Sequence, residues 1–437
     1  MKKALFWFRR DLRLVDNHGL FRALSYDSSI VPIFIFDTEI LSRLPDRFDR
    51  RVQFIHARVA WLQSELRKLG SELLVYHGKP LEIMKDMIEK FKPTGIFLNR
   101  DQDPYPLRRD FEVKVHFEAL GLSYQEFQDH FIFERDQILT GQGTPYTVFT
   151  PYSKKWFFNL DQNSFALNTY PSEKFVQSFS RDIQKKEMPT LLEIGFKSSN
   201  FPSIHPNLDL EILRRYEVHR NDIVDENSTT QMGIHLRFGT ISVRELGRKA
   251  KSISQTWLRE IAWRDFFSQV LFHFPYVVKR SFRPEFEDVC WSQNLENFEL
   301  WKNGLTGFPL IDAGMRQLKQ TGTMPNRVRM NVASFLCKDL LIHWSWGERY
   351  FASLLLDYDL SANNGNWQWA AGTGCDAAPY FRVFNPEVQR LKFDPKGDYI
   401  KRWVPEWSTG EGSYPQPILD HSSAAKRAIF EYSKVKT

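Results

Sequence analysis

A stretch of 18 residues, Asp357 to Gly374, is rich in side chains that contact ligands. It holds two acids, four amides, three glycines and two tryptophans. These residue types are poor helix formers, so local propensity does not explain why they occur together. Close approach of the backbone to a bound ligand explains them better. The next residues, Asp376 to Pro386, mix aromatic and cationic side chains, a combination typical of nucleic-acid sites.

A second group of candidate residues recurs at helical spacing between Trp257 and Phe267. Trp257, Glu260 and Arg264 share one face of such a helix, and Trp263 lies to its side. An acid beside aromatic rings suits a site that stacks a planar ligand and hydrogen-bonds the ligand's edge. A core tryptophan beside a surface ion pair explains the same spacing, and the residues alone favour that reading.

A third group, Asn326 to Met330, opens a predicted helix behind Gly322 and Pro325. Arg327 and Arg329 place two cations at the start of this helix, where backbone N–H groups and guanidinium groups attract phosphates. A solvated first turn explains the same residues equally well.

The first 130 residues contain the elements of a parallel sheet. Short runs of β-branched and aromatic residues predict buried strands over 4–8, 31–36, 73–76 and 95–98. Between them, apolar residues recur every three or four positions, most clearly from Val52 to Leu69, and Gly70 closes that helix. The alternation predicts right-handed crossovers and an open, doubly wound sheet. No glycine follows the first strand until Gly19, so a G-x-G-x-x-G phosphate cradle is absent and the usual mode of dinucleotide binding is not expected.

The rest of the chain divides into a connecting segment and a helical region. Periodicity fades from about 131 to 205, where Gly-rich and Pro-rich turns interrupt it. After Leu208 the strand signals nearly vanish and helical spacing dominates. Helices are predicted over 257–271, 309–318, 327–341 and 348–356. The sequence therefore predicts an α/β domain followed by a mostly α-helical one.

The composition is that of a globular protein, with 437 residues, 42% of them hydrophobic and 26% charged. At about 150 residues per domain, two or three domains are expected. No apolar run approaches the ~18 residues of a membrane span, and no signal peptide is recognisable, so we expect a cytoplasmic protein. The scattered Cys290, Cys337 and Cys375 predict neither a disulfide nor a metal site. A net charge of +6 mildly favours polyanionic partners.

In their order along the chain, these motifs resemble those of the DNA photolyase and cryptochrome flavoproteins, most closely the class I cyclobutane pyrimidine dimer photolyases. The resemblance spans essentially the whole chain. The motifs that carry it are Leu5–Arg13, Trp257–Phe267, Gly307–Ala313, Asn326–Met330, Asn363–Trp369 and Tyr380–Pro386. It implies a doubly wound, Rossmann-like parallel α/β antenna domain over 1–130, a long linker over 131–205, and a helical domain over 206–437 that binds FAD and the DNA lesion.

The resemblance assigns flavin contacts to the positions that match the family's motifs. They are Tyr216, Thr229, Thr230, Gln231, Met232, Gly233, Trp257, Glu260, Arg264, Asn326, Asp357, Tyr358, Asp359 and Asn363. Of these, Asn363 would lie near flavin N5. Gln231, Gly233 and Ile234 depart from the family's Ser-x-Leu-Ser-Pro type of turn, so backbone amides rather than side chains would meet the phosphates there.

The resemblance also implies a pocket for a pyrimidine dimer that has been flipped out of the duplex. Trp263 and Trp369 would form its apolar wall, Glu260 and Asn326 would hydrogen-bond the pyrimidine edges, and Met330 would fill the floor. The residues implied to hold phosphates and flanking bases are Arg220, Arg327, Arg382 and Gln389. The expected partner is UV-damaged DNA, bound by a monomer with no obligate protein partner, membrane or metal.

Trp291, Trp344 and Trp367 match the chain of electron-hopping tryptophans that runs from the surface to the flavin in this family. The implied reaction passes one electron from light-excited, fully reduced FAD to the dimer, whose two ring bonds open before the electron returns. Glu260 would stabilise the dimer radical anion. Together with Asn363, these residues are the implied catalytic set.

Three alternatives stay open on the sequence. A cryptochrome would sense light instead of repairing DNA, and the lack of an extension after the terminal helix speaks against it. A (6-4) photolyase would use histidine in the pocket helix, whereas no histidine lies between Met315 and Leu341. A non-photochemical flavin reductase would need an open nicotinamide site, which the sequence does not indicate.

The antenna chromophore is the least defined expectation. The segment from Asn99 to Tyr105 lacks the Asn-Glu pair of folate-type antenna sites. The resemblance therefore favours an 8-hydroxy-deazaflavin over methenyltetrahydrofolate, and the absence of any antenna is also open.

Overall fold

The structure is a computed structural model that describes residues 2–26, 29–199, 206–409 and 414–435. The last six residues of the predicted linker, 200–205, lie outside the described residues. Within the described ranges, every helix is too short or too polar to cross a lipid bilayer.

The chain forms two compact units. The first unit comprises Met1–Ile138, Lys155–Leu208 and Met232–Ile261, and the second unit comprises Leu139–Lys154, Asp209–Gln231 and Ala262–Thr437. This division rests on contacts within the chain and differs from the functional domains expected from the sequence. The domain boundaries at 130 and 205 therefore stay a prediction.

The first unit contains a five-stranded sheet in which all strands run parallel. The strands are β1 Lys3–Phe8, β2 Ser29–Asp37, β3 Leu74–Gly78, β4 Gly95–Asn99 and β5 Ser123–Phe127. Their order is β3-β2-β1-β4-β5, with Leu5 of β1 opposite both Val31 and Ile96. The predicted doubly wound sheet is thereby confirmed, and its strand order reverses direction between β1 and β4.

The sequence did not predict the edge strand β5. Its Ser-Tyr-Gln-Glu-Phe segment contains no apolar run, and all five residues are half-buried. Among the described residues, the strand pairs only with β4, where Gly95 lies opposite Ser123. Hydrophobic patterning misses such a strand because the backbone ladder, more than side-chain burial, holds it in place.

Helices make up most of the remaining structure. In chain order they are α1 His18–Leu24, α2 Thr38–Leu41, α3 Arg50–Lys68, α4 Pro80–Phe91, α5 Pro104–Ala119, α6 Phe149–Gln162, α7 Leu210–His219, α8 Gly233–Arg237, α9 Val243–Ile253, α10 Gln255–His273, α11 Leu295–Asn303, α12 Pro309–Thr321, α13 Asn326–Ser334, α14 Trp344–Leu354, α15 Leu360–Ala371, α16 Pro386–Phe393, α17 Asp398–Trp403, α18 Glu406–Thr409 and α19 His421–Lys434. A π-helical turn covers Phe335–Asp339, and 3₁₀ turns cover Arg135–Gln137, Ser172–Ser178, Glu226–Ser228, Pro275–Val278 and Pro284–Asp288.

Helix α3 follows the predicted apolar spacing. Val52, Val59, Leu62 and Leu66 are buried along one face, and the Asp49 carboxylate accepts a hydrogen bond from the first turn. Just past the helix end, Gly70 has a φ of 78°, a left-handed conformation that favours glycine. The predicted end of this helix is confirmed.

Two predicted helices of the second unit have different bounds. The helix expected over 327–341 ends at Ser334 and continues as the π-helical turn. The helix expected from 348 begins at Trp344, because the His343 side chain accepts a hydrogen bond from the Ser345 N–H and caps it. Side-chain caps and the wider π turn leave little trace in hydrophobic periodicity.

Candidate functional site

Helix α15 carries the ligand-type residues from Asn363 to Trp369, although the sequence did not predict a helix there. The Asp359 carboxylate caps it, accepting the Ser361 hydroxyl at 2.6 Å and the Ala362 N–H at 3.3 Å. Gly372 ends the helix with a φ of 84°. These caps offset part of the low helix propensity of the segment.

Tertiary hydrogen bonds also stabilise α15. The Asn364 and Gln368 side-chain amides both donate to the carbonyl oxygen of Val277, at 2.9 and 3.0 Å. A Cβ atom on Gly365 would lie 2.1 Å from a ring carbon of Phe267, so glycine is required for this close approach. Residues that are unfavourable for an isolated helix are therefore retained for their tertiary contacts.

Asn363 is held in one orientation by α14. Its side-chain nitrogen donates to the backbone oxygen of Glu348 at 3.1 Å and to the Glu348 carboxyl oxygen at 2.9 Å. Burial raises the pKa of the Glu348 carboxyl, and the hydrogen bond from Asn363 partly opposes that rise. Because the amide nitrogen is engaged, the side-chain oxygen of Asn363 is the end that can face a ligand.

A flavin-compatible set of polar groups lies near the start of α15. Arg329 donates to the carbonyl oxygen of Met324 at 2.8 Å and to the Asp357 carboxylate at 3.1 Å. The second unit thus supplies carboxylates at 357 and 359, a guanidinium group and the Asn363 amide. The edge of a flavin presents both N–H donors and carbonyl acceptors, so the chemistry of this set fits FAD.

The three predicted electron-transfer tryptophans belong to the second unit. Trp291 is half-buried and lies 5.1 Å from the ring of His343, which in turn lies 5.3 Å from Trp344. Burial lowers the pKa of His343, so its imidazole is neutral at neutral pH. The structure therefore links the partly exposed Trp291 to the buried Trp344 through an uncharged aromatic ring.

Trp367 is packed against α14, the helix that Trp344 begins. A Cβ atom on Gly347 would lie 2.1 Å from the Trp367 ring, so the indole touches the helix backbone. Trp344 and Trp367 are 1% and 2% exposed and share one hydrophobic core. The run of aromatic rings thus leads from the surface into this core.

The two predicted wall tryptophans occupy neighbouring helices. Trp263 of α10 stacks on Phe149 at a centroid distance of 3.5 Å and on Phe267 at 5.4 Å. Trp369 and Phe267 line a small pocket, together with Asp376. Phe267 thus stacks on the Trp263 ring and lines a small pocket together with Trp369.

Three of the predicted DNA-binding residues form a cationic cluster, which we call the arginine cluster, made of Arg220, Arg327 and Arg382. Arg327 donates to the side-chain oxygen of Asn221 at 2.7 Å and lies 4.6 Å from the ring of Phe393. Burial lowers the pKa of Arg327, and the charges of the other two arginines lower it further. Concentrated positive charge of this kind favours a polyanion.

The other predicted residues of the second unit lie on several elements. Tyr216 is buried on α7, with the Arg220 guanidinium 5.5 Å from its ring. Gln231 is exposed in a left-handed turn with a φ of 52°, and its side chain donates to the Glu226 carbonyl oxygen at 3.0 Å. The remaining positions are Thr229 and Thr230 in the same turn, Arg264 on α10, Asn326 and Met330 on α13, Tyr358 before α15, and Gln389 on α16.

Four predicted residues belong to the first unit. Trp257 and Glu260 lie on the first two turns of α10, where Trp257 is 4% exposed and Glu260 is half-buried. Met232 is buried and precedes Gly233, the first residue of α8. Their assignment to flavin or lesion stays a prediction.

Sequence reasoning did not assign roles to Glu348, which holds Asn363, or to Phe149, which stacks on Trp263. Phe149 gave no signal, because it lies more than a hundred residues from its partner in sequence. Arg329 was expected to attract phosphates at the start of α13, but in the structure it pairs with the Asp357 carboxylate.

Polar side chains also meet at the carboxyl ends of β1 and β4. The Asn99 side chain donates to the Asp11 carboxylate at 2.6 Å and accepts the Gly19 N–H at 2.8 Å. A Cβ on Gly19 would lie 2.7 Å from the Asn99 oxygen, which explains glycine at this position. Asp101 pairs with Arg10 at 2.9 Å. The polar groups that follow these strands are engaged with one another.

Comparison with known proteins matches this architecture to one family. The family model for DNA photolyase matches residues 4–169, and the model for the FAD binding domain of DNA photolyase matches residues 257–413. A deoxyribodipyrimidine photo-lyase from a Synechococcus species is 33% identical over 99% of this chain and 96% of its own length.

Solved structures agree with the sequence relatives. A bacterial class III photolyase from Agrobacterium tumefaciens superposes with a TM-score of 0.88 at 31% identity, covering 100% of this chain and 98% of the other. An archaeal photolyase from Sulfolobus tokodaii, solved with two FAD molecules, has a TM-score of 0.81 at 32% identity and covers 99% and 100% of the two chains. The resemblance identified from the motifs is confirmed: the chain belongs to the DNA photolyase family.

Proposed function

We propose that this protein repairs cyclobutane pyrimidine dimers in DNA with the energy of blue light. The observation that carries the light-driven electron transfer in this proposal is the run of aromatic rings from half-buried Trp291 through His343 to buried Trp344, in the core that also contains Trp367. Such a run divides one long electron transfer into short steps. Relatives named deoxyribodipyrimidine photo-lyase along nearly the whole chain support the choice of substrate.

The FAD-binding domain supplies the cofactor site of this reaction. When bound and fully reduced, FAD supplies a light-excited electron to the dimer and receives it back after the two ring bonds have opened. Asn363 and Asp357 would orient the flavin edge. The Glu260 carboxyl would stabilise the negative charge on the dimer, and Trp263 with Trp369 would hold the fused rings and exclude water.

The arginine cluster supports DNA as the partner. Arg327 carries two arginine neighbours and is anchored by the neutral amide of Asn221 rather than by a carboxylate. Photolyases belong to the enzymes that flip target bases out of the duplex, which costs a few kcal/mol and least for a damaged pair. Phosphate contacts from the arginine cluster would offset that cost without reading sequence. We expect a monomer in the cytoplasm.

The direct test is repair of UV-irradiated oligothymidylate by chemically reduced, FAD-loaded protein, under blue light and in darkness. We expect thymine absorbance to recover only in the light. If no recovery occurs in either condition, the assignment to cyclobutane dimers is wrong. The same assay on a (6-4) photoproduct then separates the other repair class from a sensory role.

Replacement of Trp291 tests the electron-transfer run. We expect Trp291→Phe to abolish light-driven reduction of the flavin and to leave repair by chemically reduced protein unchanged. Trp346→Phe is the matched control, because Trp346 is also half-buried on the surface of this core but contacts Phe298 instead of the run. Equal loss in both assays would contradict the assignment of Trp291.

The antenna chromophore is a separate proposal. We favour a deazaflavin-type antenna, or none, because the Asn99–Tyr105 segment lacks the folate-type pair. The second FAD in the Sulfolobus tokodaii photolyase makes a flavin antenna a further outcome of the test. Absorption spectra of the chromophores released on denaturation distinguish a deazaflavin from a folate. A flavin-to-protein ratio above one would indicate a flavin antenna.

A further inference from the structure

The two tryptophans of the proposed lesion wall stand on different helices, so something must set their spacing. A pair of fused pyrimidines offers two planar rings at a fixed angle, and recognition by two indoles requires the indoles to be held in a matching arrangement. Trp263 and Trp369 are both half-buried, so core packing alone does not fix them.

Phe149 holds Trp263 from behind. The two rings are nearly parallel, with an interplanar angle of 9° and a centroid distance of 3.5 Å. Phe266 lies edge-on to both rings, 5.7 Å from each. Phe149 is 6% exposed, so its ring is a fixed support for the Trp263 indole.

Asp376 holds Phe149 in turn. Its carboxylate accepts the backbone N–H of Phe149 at 2.9 Å. Phe149 is the first residue of α6, so this N–H has no partner within its own helix. A negative charge at a helix N-terminus is also favoured by the helix dipole. The bond joins residues 227 positions apart in sequence.

The segment around Asp376 is attached to the end of α15, next to Trp369. The N–H groups of Thr373 and Gly374 donate to the carbonyl oxygen of Gln368 at 3.0 and 3.1 Å, and the Ala378 N–H donates to the carbonyl oxygen of Trp369 at 3.2 Å. Asp376 is thus tied on both sides to the helix that carries Trp369.

We propose that Asp376 and Phe149 are positioning residues that set the spacing and tilt of Trp263 relative to Trp369, and so the selectivity for a fused pair of pyrimidines. The contacts run from the Trp369 backbone through the 373–378 segment to Asp376, then to Phe149 and the Trp263 ring. The inference rests on the proposed function, since it assigns a purpose to the same wall. Asp376 and Trp369 also line the same small pocket.

The test compares four variants of the FAD-loaded, full-length protein. Asp376→Ala removes the acceptor, Asp376→Asn keeps an oxygen acceptor without charge, and Phe149→Leu removes the ring while leaving the backbone bond. Asp420→Ala is the matched control, because Asp420 also caps a helix, accepting the Ser423 N–H at 2.9 Å, but does so at α19. Each is assayed for binding to dimer-containing and undamaged oligothymidylate, for repair at saturating dimer, and for near-ultraviolet circular dichroism without DNA.

We expect Asp376→Ala and Phe149→Leu to weaken dimer binding about tenfold, with undamaged DNA bound as before and the repair rate at saturation within about threefold. A fifth variant, Trp263→Phe, identifies the near-ultraviolet dichroism band of Trp263, and both of these variants should lose that band. Asp376→Asn should restore affinity to within about threefold of the wild type, and Asp420→Ala should change neither property.

The inference is overturned if Asp376→Ala keeps wild-type dimer affinity and dichroism, or if Asp376→Asn is as impaired as Asp376→Ala. Should Asp376→Ala fail to fold, Phe149→Leu decides, since it leaves the helix cap intact. If the wild-type protein itself neither prefers dimers nor repairs them, the proposed function fails, and the dichroism of the DNA-free variants still decides whether Asp376 positions Trp263.

Discussion

Two groups of arginines, one in each unit, have opposite electrostatic surroundings. In the first unit, Arg13 and Arg244 are buried and both pair with the Asp129 carboxylate, at 2.7 and 2.8 Å, and Arg244 also pairs with Asp16 at 3.1 Å. In the second unit, Arg327 is anchored by an amide and is close to two further arginines. Charge that is balanced within the protein maintains the fold, whereas charge that is concentrated leaves binding energy for an anionic ligand.

The balanced charge of the first unit is also visible in the pKa of the Asp129 carboxyl. Burial by itself would raise the pKa of Asp129, but Arg13 and Arg244 outweigh it and hold the pKa well below its usual range. The carboxylate is therefore ionised throughout the neutral range and bound to both arginines. In the arginine cluster, by contrast, the charges of Arg220 and Arg382 lower the pKa of Arg327.

The largest effect is expected from Asp129→Ala. It leaves two buried guanidinium groups without this shared carboxylate, which costs about 3 to 5 kcal/mol of unfolding free energy. Denaturant unfolding followed by circular dichroism measures the loss. Stability within about 1 kcal/mol of the wild type would contradict the view that this network maintains the first unit.

Acid should weaken the first unit before the second. Because the folded-state pKa of Asp129 lies below its unfolded value of about 3.9, its contribution is complete above that value and is lost as pH falls toward the folded pKa. We expect unfolding of the first unit to become easier below about pH 4. The measurement is the rate of amide hydrogen exchange in α9 and in α15 at pH 6 and at pH 3. We expect the rate in α9 to rise more than the rate in α15 at pH 3, and Asp129→Ala should reduce this pH dependence.

Replacement of an arginine of the cluster should change binding and leave stability unaffected. We expect Arg327→Ala to weaken binding of damaged and undamaged DNA about tenfold, or about 1.4 kcal/mol, and to reduce the salt slope of log Kd by about one. Arg402→Ala is the control, because Arg402 is exposed but already paired with Glu226 at 2.7 Å. An equal loss of DNA affinity in Arg402→Ala would show that net charge, and not a specific site at Arg327, determines the binding.

The smallest effect is expected at an exposed pair of the first unit. Lys249 and Glu245 form an ion pair at 2.6 Å with both side chains partly in solvent. We expect Lys249→Ala to cost less than about 0.5 kcal/mol in the same denaturant experiment. The difference between the unfolding free energies lost in Lys249→Ala and in Asp129→Ala then shows how much burial strengthens the ion pairs of Asp129.

The sequence predicted the elements with strong patterns and missed those held by long-range contacts. Four strands and helix α3 were predicted within a few residues, because buried strands and amphipathic helices have clear apolar periods. Strand β5, the π turn and helix α15 were not predicted. Their stability comes from edge pairing, a wide turn and buried amides, which periodicity does not report.

The candidate site shows the same division. The resemblance to the family implied roles for Trp263, Trp369 and the three arginines, and the structure places the arginines close together. The supports of these residues were not identified. Glu348, Phe149 and Asp376 each act through a partner far away in the chain, and their own neighbours in sequence carry no signal of that contact.

By itself, therefore, the sequence determined the α/β and helical halves, the family, and the residue types available for flavin and DNA. The two halves follow from local composition and spacing, and the family follows from the resemblance of its motifs, all of which persist whatever the tertiary arrangement. Only the tertiary structure decided that Asp376 reaches Phe149, that Arg329 pairs with Asp357 and that Asn363 is oriented by Glu348. Contacts between distant residues depend on how helices pack and on which buried polar groups find partners, and no local pattern encodes either.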